Sequence, residues 1–208
     1  MRKPLIAGAA AGATLLGAAA IYYFREKATP GPDYRVLASD GDCEIRAYPA
    51  ITVAETVVQG ERKAALSQGF GRLADYIFAK SRDGQALPMT VPVLQDSGNP
   101  MASDPPLFDD LVEGGWRVRF VMPEGRTAED LPAPPDAIEL VELAPRRVAV
   151  VRFTGVANDD RLADQETLLR GWLARQGEQA ASEPEYAFYN SPMIPPPLRR
   201  SEVLIPLG

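Results

Sequence analysis

The sequence predicts an α+β fold. Two pseudo-symmetric strand–helix–strand–strand repeats build a mostly antiparallel, curved sheet carrying two helices, preceded by one N-terminal transmembrane helix. Three observations predict it. Apolar alternation at period two switches to helical period after each of two glycines, Gly60 and Gly155. The segments around those glycines align with one another in the same order of elements. An uncharged run of twenty residues, Leu5 to Phe24, lies near the N-terminus.

That run is long enough to cross a bilayer as a helix. Arg2 and Lys3 precede it, Arg25-Glu26-Lys27 follow, and Tyr22, Tyr23 and Phe24 sit where aromatic side chains favour the membrane interface. The charge bias places the N-terminus on the cytoplasmic side and the rest of the chain outside, in a periplasm if the cell has one. A cleaved signal peptide with Ala18-Ala19-Ala20 as its cleavage site is the rival reading; the apolar run continues past that point to Phe24 and favours an uncleaved anchor. Gly8 and Gly12 form a GxxxG pair. The domain plan is an anchor over residues 1–27, a stiff linker over 28–33 containing Pro30-Gly31-Pro32, and a soluble domain over 34–208.

Composition removes several function classes. The 208-residue chain has no histidine and one cysteine, Cys43. Ser-His-Asp and Cys-His catalysis, histidine-rich zinc sites and histidine-ligated heme are excluded together. A net charge of −6 gives no drive toward nucleic acid. Apolar content of 46% supports a packed core rather than disorder. No nucleophile–base pair or metal-ligand spacing is present, so a binding protein is expected rather than an enzyme.

In chain order, Tyr34-Arg35-Val36-Leu37 is a short strand, Asp40-Gly41-Asp42 a turn, and Cys43 to Tyr48 and Ile51 to Val58 are strands broken at Pro49. Glu61 to Phe78 is a helix with Leu66, Phe70, Leu73 and Ile77 on one stripe. Leu87 to Gln95 has strand spacing but contains Pro92, which predicts an edge strand or one that changes course beside a pocket. Asp96 to Gly115 is a long irregular loop, and Trp116 to Met122 a strand. Ile138 to Leu143 and Arg147 to Phe153 are strands around a turn at Ala144-Pro145. A helix starts at Asp159 or Asp160 and runs to about Gln176, with Leu162, Leu169, Trp172 and Leu173 inward. Ala187 to Asn190 and Glu202 to Pro206 are the last strands.

The repeat aligns Val53–Gly60 with Val148–Gly155, Thr90–Val93 with Asn190–Met193, and Phe120–Pro123 with Val203–Pro206. It makes Pro92 and Pro192 matching pivots at which the sheet bends, with Met89 and Val91 presenting apolar surface beside the first. A groove between sheet and helices is the expected place for a small ligand.

These segments also resemble the SOUL/heme-binding protein family. The matching pieces are the stretch from Tyr34 through Tyr48-Pro49-Ala50, Val53-Ala54-Glu55-Thr56, Gly69-Phe70 with Leu73 and Tyr76-Ile77, Met89-Thr90-Val91-Pro92-Val93, Trp116 to Pro123, and Arg199-Arg200-Ser201-Glu202-Val203. The resemblance covers roughly residues 34 to 207. It implies a distorted two-repeat barrel and binding of heme or another tetrapyrrole in a shallow apolar groove. A related two-repeat architecture occurs in bacterial effector-binding domains that take up organic cations, so the fold alone leaves the ligand open.

This sequence departs from some members in lacking an axial imidazole. Any heme is held by apolar contact, or through Met, Tyr or Cys. The predicted helix carries Ser67 and Asp75 where cations would meet heme propionates, with Arg62, Lys63 and Arg72 nearby.

The cofactor-binding candidates are therefore Leu66, Phe70 and Leu73 as a groove floor, Met89, Val91 and Met193 as apolar or thioether contacts, Tyr189 as a stacking group, and Arg199, with Arg200 beside it, as a propionate partner. Each has a plainer reading as core, gap-filler or loop end. Met122, Tyr186 and Cys43 stand in the same double position. Glu55 shares a strand face with Ile51, Val53 and Val57. If buried, it pairs with Arg152 or Arg119, or it meets a cationic ligand. The leading expectation is a membrane-anchored tetrapyrrole-binding protein. The alternatives are binding of small organic cations through Glu55, and an accessory subunit docking on a membrane complex.

Overall fold

A computed structural model describes residues 22–97 and 115–208. Its sheet has nine strands: β1 (Arg35–Asp40), β2 (Cys43–Tyr48), β3 (Ile51–Gln59), β4 (Val93–Asp96), β5 (Gly115–Val121), β6 (Glu139–Leu143), β7 (Arg146–Thr154), β8 (Glu185–Phe188) and β9 (Arg200–Leu207). The helices are α1, described over residues 22–27, α2 (Arg62–Ile77) and α3 (Asp159–Gln176). The fold class is α+β, as the alternating periodicities predict. Most of the run Leu5 to Phe24, the GxxxG pair and the Ala18–Ala20 segment lie outside the described residues. Among the described residues, no helix is long and apolar enough to cross a membrane.

The strand order is β1-β2-β7-β9-β8-β4-β5-β3-β6, and every pairing is antiparallel. Reading outward from the β4–β8 pair gives β5, β3, β6 on one side and β9, β7, β2 on the other. The two repeats are thus related about that central pair, and β1 is an addition beyond β2. Gly60 and Gly155 follow equivalent strands and share the left-handed backbone, at φ 111° and 109°, a conformation that glycine adopts without a Cβ penalty.

The outer strands exchange partners. β6 pairs with β3 and β2 with β7, so Ala144-Pro145 is not the tip of a hairpin. The chain crosses between the halves there, and again at Pro49-Ala50. Each crossing has only two residues between strands, a reach of about 11 Å at 3.8 Å per Cα step. That short reach draws the two edges of the sheet together and curls it into a half-barrel.

The two faces are filled differently. Cys43, Ile45, Ala149, Val151, Val203 and Ile205 pack under α3 through Leu162, Leu169, Trp172 and Leu173. Ala54, Val118, Phe120 and Met122 pack under α2 through Leu73, Tyr76 and Ile77. The opposite face buries Tyr48, Val53, Leu94, Val121, Val148, Val150, Ala187 and Leu204 against one another with no helix residue among them. A sheet face can cover itself in this way only if it is the concave side.

α2 is turned relative to its predicted stripe. Its buried residues are Ala65, Gly69, Leu73, Tyr76 and Ile77. A Cβ added at Gly69 would stand 2.8 Å from Val118 Cγ2, so small residues are what let the helix sit close to the sheet. The larger Phe70 is displaced to the rim, 45% exposed, edge-on to Phe120. Glu61 caps α2 by accepting from the Ala64 N–H at 3.1 Å. α3 is capped by Asn158 one residue ahead of the predicted start, accepting from the Arg161 N–H at 3.0 Å, and ends at Gly177 with φ 71°.

Pro92 does not mark an edge. β4 lies between β8 and β5, and Pro92 stands immediately before its first residue, where no ladder hydrogen bond is lost. The Val91–Pro92 bond is cis. Pro192 follows β8 instead of preceding it and is exposed, so the two prolines are not equivalent pivots. The last pair of aligned strands also slips by two residues: Val53 pairs with Val121, whereas Val148 pairs with Pro206 rather than Leu204. A shift of two keeps every side chain on its face.

Candidate functional site

Period-two alternation sends Glu44, Arg46 and Tyr48 of β2 to the concave face while Cys43 and Ile45 go under α3. From β9 the same rule sends Arg200, Glu202 and Leu204 inward. The result is a buried charge cluster at one end of the half-barrel. Arg46 is 1% exposed and Glu202 0%. Arg46 Nη1 donates to Glu202 Oε2 at 2.9 Å and Nη2 to Oε1 at 3.2 Å. Arg200 Nη2 donates to Oε1 at 2.6 Å, and the Tyr189 hydroxyl to Oε2 at 2.7 Å. Arg46 Nε donates to Glu44 at 2.7 Å, and its Nη1 also reaches the Tyr48 oxygen at 3.2 Å. Both guanidinium groups lie over aromatic rings, Arg46 over Tyr34 at 4.3 Å and Arg200 over Tyr189 at 4.0 Å.

The electrostatics follow from this packing. Burial alone would raise the Glu202 pKa, but the hydrogen bonds and charges of Arg46 and Arg200 outweigh it and hold the carboxyl below its usual range. Tyr189 goes the other way: burial and the adjacent Glu202 charge push its phenol well above the ordinary value. Burial also raises Tyr48, against the pull of Arg46. Both phenols are therefore neutral hydrogen-bonding groups at physiological pH.

Above this cluster is a cavity of about 290 Å³. One wall is the sheet, through Tyr48, Tyr189 and Arg200, with Val91, Asn190 and Leu198 from adjoining loops. The other wall is α1 and the segment after it: Tyr23, Glu26, Lys27, Thr29, Gly31, Pro32 and Tyr34. That segment is docked rather than a free linker. The Val91 N–H donates to the Pro30 carbonyl at 2.9 Å, and Glu26 accepts from Asn190 Nδ2 and the Ser191 N–H at 3.3 Å each. Gly31 is required by contact, because a Cβ there would lie 2.8 Å from the Val91 oxygen.

Of the candidates drawn from the sequence, Val91 and Tyr189 line this cavity. Leu73 is wholly buried beneath α2, Leu66 is half-buried there, and Phe70 is at the rim of the same layer. Helix and sheet are packed together at Leu73, and the cavity lies on the other side of the sheet. Met89 is 52% and Met193 80% exposed. Arg199 spends its guanidinium on the Ile194 and Pro192 carbonyls at 2.7 Å each, and the neighbouring Arg200 is the cation that faces the cavity. Cys43 is buried under α3, where desolvation raises its thiol pKa.

Glu55 has the structural partner expected for it. Arg119 Nε donates to its Oε2 at 2.9 Å. Arg119 is itself central to a second cluster, reaching Asp96 at 2.8 Å and Glu185 at 3.6 Å, while Arg146 holds Glu185 at 2.6 and 2.8 Å. Glu55, Asp136 and Glu139 border a separate open hollow of about 360 Å³. Among the described residues, no group of three or more His, Cys, Asp or Glu is arranged to hold a metal ion.

Sequence reasoning missed Arg46, Glu202, Tyr34, Tyr48 and the N-terminal wall. The available signal was the run Glu44-Arg46-Tyr48, polar at every second position, which reads equally well as a solvated face.

A family model described as SOUL heme-binding protein matches residues 29–206. The chain belongs to the SOUL family. The match runs through both repeats and includes most of the cavity wall, from Thr29 to Arg200. No curated protein sequence matched this SOUL chain. Among solved structures, the C-terminal domain of EcmrR superposes with a TM-score of 0.57 at 11% identity, covering 84% of this chain and 98% of that one. A hydrolase from Listeria innocua gives 0.53 at 13% identity, with 83% and 94% covered. An EcmrR–DNA complex gives 0.57 at 10% identity, with 98% and 67% covered. At such identities these likenesses concern the fold alone.

Proposed function

We propose that this SOUL protein binds heme or a related tetrapyrrole reversibly at the cavity between the N-terminal segment and the concave face, without an axial ligand from the cavity wall. Membership of the SOUL family suggests heme or tetrapyrrole binding in general. The observation that carries the finer reading is the make-up of the wall: Tyr23, Tyr34, Tyr48 and Tyr189 with Arg200 and Lys27, and no His, Cys or Met among the described lining residues.

These residues fit a planar, carboxylated macrocycle. Aromatic rings and Val91 and Leu198 supply flat apolar contact, and Arg200 and Lys27 supply partners for propionates. They suit iron ligation less well, because Tyr48 and Tyr189 are held protonated. At about 290 Å³ the cavity is near the lower end of small-molecule sites. A cavity of that size would enclose only part of a macrocycle, which suits exchange rather than permanent retention. Bound heme would bring redox and ligand chemistry at its iron; the chain's part is to hold its edge and carboxylates. The reading is of a binding protein, not an enzyme.

The organic-cation alternative draws less support, since the Glu55 charge is already matched by Arg119. A fixed partner in a membrane complex would use surfaces other than the cavity.

The test is to titrate the full-length protein in parallel with hemin and with iron-free protoporphyrin. Saturation by both at micromolar concentration, with affinities within about threefold, is expected if the iron makes no bond to the protein; an axial bond would favour hemin by tenfold or more, about 1.4 kcal/mol. Val91→Trp, which fills the cavity, should weaken both. No saturable change with either ligand would refute the proposal.

A further inference from the structure

The loop from Ser191 to Leu198, SPMIPPPL, contains no charge. Ile194 pins it to the domain at 1% exposure, while Met193 and Leu198 stand out at 80% and 49%. Tyr22 and Phe24 are exposed beside it, at 42% and 64%. The Tyr22 hydroxyl lies 2.9 Å from Ser191 Oγ, the ring of Phe24 packs on Tyr23, and Tyr23 and Leu198 line the same cavity. Large apolar side chains gathered on one rim need an occupant.

Two further features define that occupant. First, the loop leaves no backbone N–H unpaired from Ser191 to Arg199. Ser191 donates to Glu26, Met193 to Ser191 Oγ, Ile194 to the Ser191 carbonyl, Leu198 to Pro195 and Arg199 to Pro196, and the four prolines have no N–H. Arg199 covers the Pro192 and Ile194 carbonyls from below. A protein-binding loop can leave such groups to its partner or to water; a loop entering a medium of low polarity cannot. Second, the charge around it is reversed. In α1 the exposed charges are the cations Arg25 and Lys27, while Glu26 turns inward to Asn190 and Ser191, in a chain of net charge −6. The uncharged sequence run from Leu5 also arrives at this rim, at Tyr22.

We propose that the loop 191–198, with Tyr22 and Phe24, is a docking surface for an anionic lipid bilayer. Met193 and Leu198 enter the interfacial layer and Arg25 and Lys27 meet lipid headgroups. The mouth of the cavity then opens beside the bilayer, so that an apolar ligand can pass between them without crossing water. The surface stands whichever ligand fills the cavity.

The test uses the full-length protein in a Cys43→Ala background, bound to vesicles of phosphatidylcholine with phosphatidylglycerol. A polarity-sensitive fluorophore is attached at Met193→Cys, or at Leu168→Cys on the outer helix as a control. Burial to a shallow interfacial depth should cost the Met193 probe about half its emission when spin-labelled lipids are included, and removal of phosphatidylglycerol should reduce that loss. The Leu168 probe should be unaffected. If the protein binds vesicles but both probes behave alike, the chain is merely tethered and the docking surface is refuted. A Met193 probe shielded from aqueous iodide yet unquenched by lipid would assign the rim to a protein partner and equally refute it. Met193 is exposed, so labelling leaves folding intact; a native circular dichroism spectrum checks this.

Discussion

Glu202 shows how a single residue sets the character of the site. It is fully buried, and two guanidinium groups and a phenol converge on its oxygens. Its neighbour Arg46 is also held more firmly protonated, since the Glu202 carboxylate outweighs the burial that opposes its charge. Glu202→Gln should destabilise the protein by about 3 kcal/mol in urea unfolding, because buried Arg46 would keep only the more exposed Glu44 as counter-charge. The pH dependence has a definite sign. The folded pKa of Glu202 lies below the unfolded value, so its contribution is complete above the ordinary carboxylate range and is lost as pH falls through the folded pKa. Glu185 behaves likewise, with burial outweighed by Arg146 and Arg119. Wild-type stability should therefore drop steeply below about pH 4, and the drop should be shallower in Glu202→Gln.

At the scale of elements, the helices were legible in the sequence and their exact facing was not. The stripe Leu66-Phe70-Leu73-Ile77 selects the largest apolar residues. The face in contact is set instead by Ala65 and Gly69, because close approach to β3 and β5 demands small groups. Gly69→Ala should cost about 1–2 kcal/mol, the overpacking against Val118 exceeding the gain in helix propensity. Gly71→Ala, with nothing within 4 Å of the added Cβ, should stabilise by up to about 1 kcal/mol; thermal unfolding of the pair separates the two effects. α3 matched its predicted inward set: Leu162, Leu169, Trp172 and Leu173 are buried together with Gln165, while Leu168 faces outward. Of the two readings at Pro92, the edge strand failed for a simple reason, while the change of course beside a pocket is seen at Val91. A proline one residue before a strand and a proline inside one look alike until the ladder is known.

For the whole molecule, the repeat was readable from order and spacing, while the partner exchange of β2 and β6 was not. Nothing local distinguishes a two-residue hairpin turn from a two-residue crossing. The same limit hid most of the site: alternation assigns Glu44, Arg46 and Tyr48 to one face, but only the curling of the sheet reveals that this face is covered. Arg119 gathers carboxylates from both halves, Glu55 and Asp96 from one and Glu185 from the other. Arg119→Met should lose several kcal/mol by leaving buried acids facing each other. Because those acids regain neutrality on protonation, the deficit relative to wild type should be smaller at pH 5 than at pH 8, as chemical denaturation at the two values would measure.

Docking of the N-terminal segment gives the cavity a divided ownership. A shortened protein beginning at Tyr34 retains all nine strands, both long helices and the charge cluster around Glu202, and it would pass tests of foldedness. It would also lack Tyr23, Glu26, Lys27, Thr29, Gly31 and Pro32, all of one cavity wall except Tyr34. Trimming the chain back to Tyr34 thus risks yielding a well-behaved sample that has forfeited its ligand, and a negative result from it would describe the truncation rather than the protein.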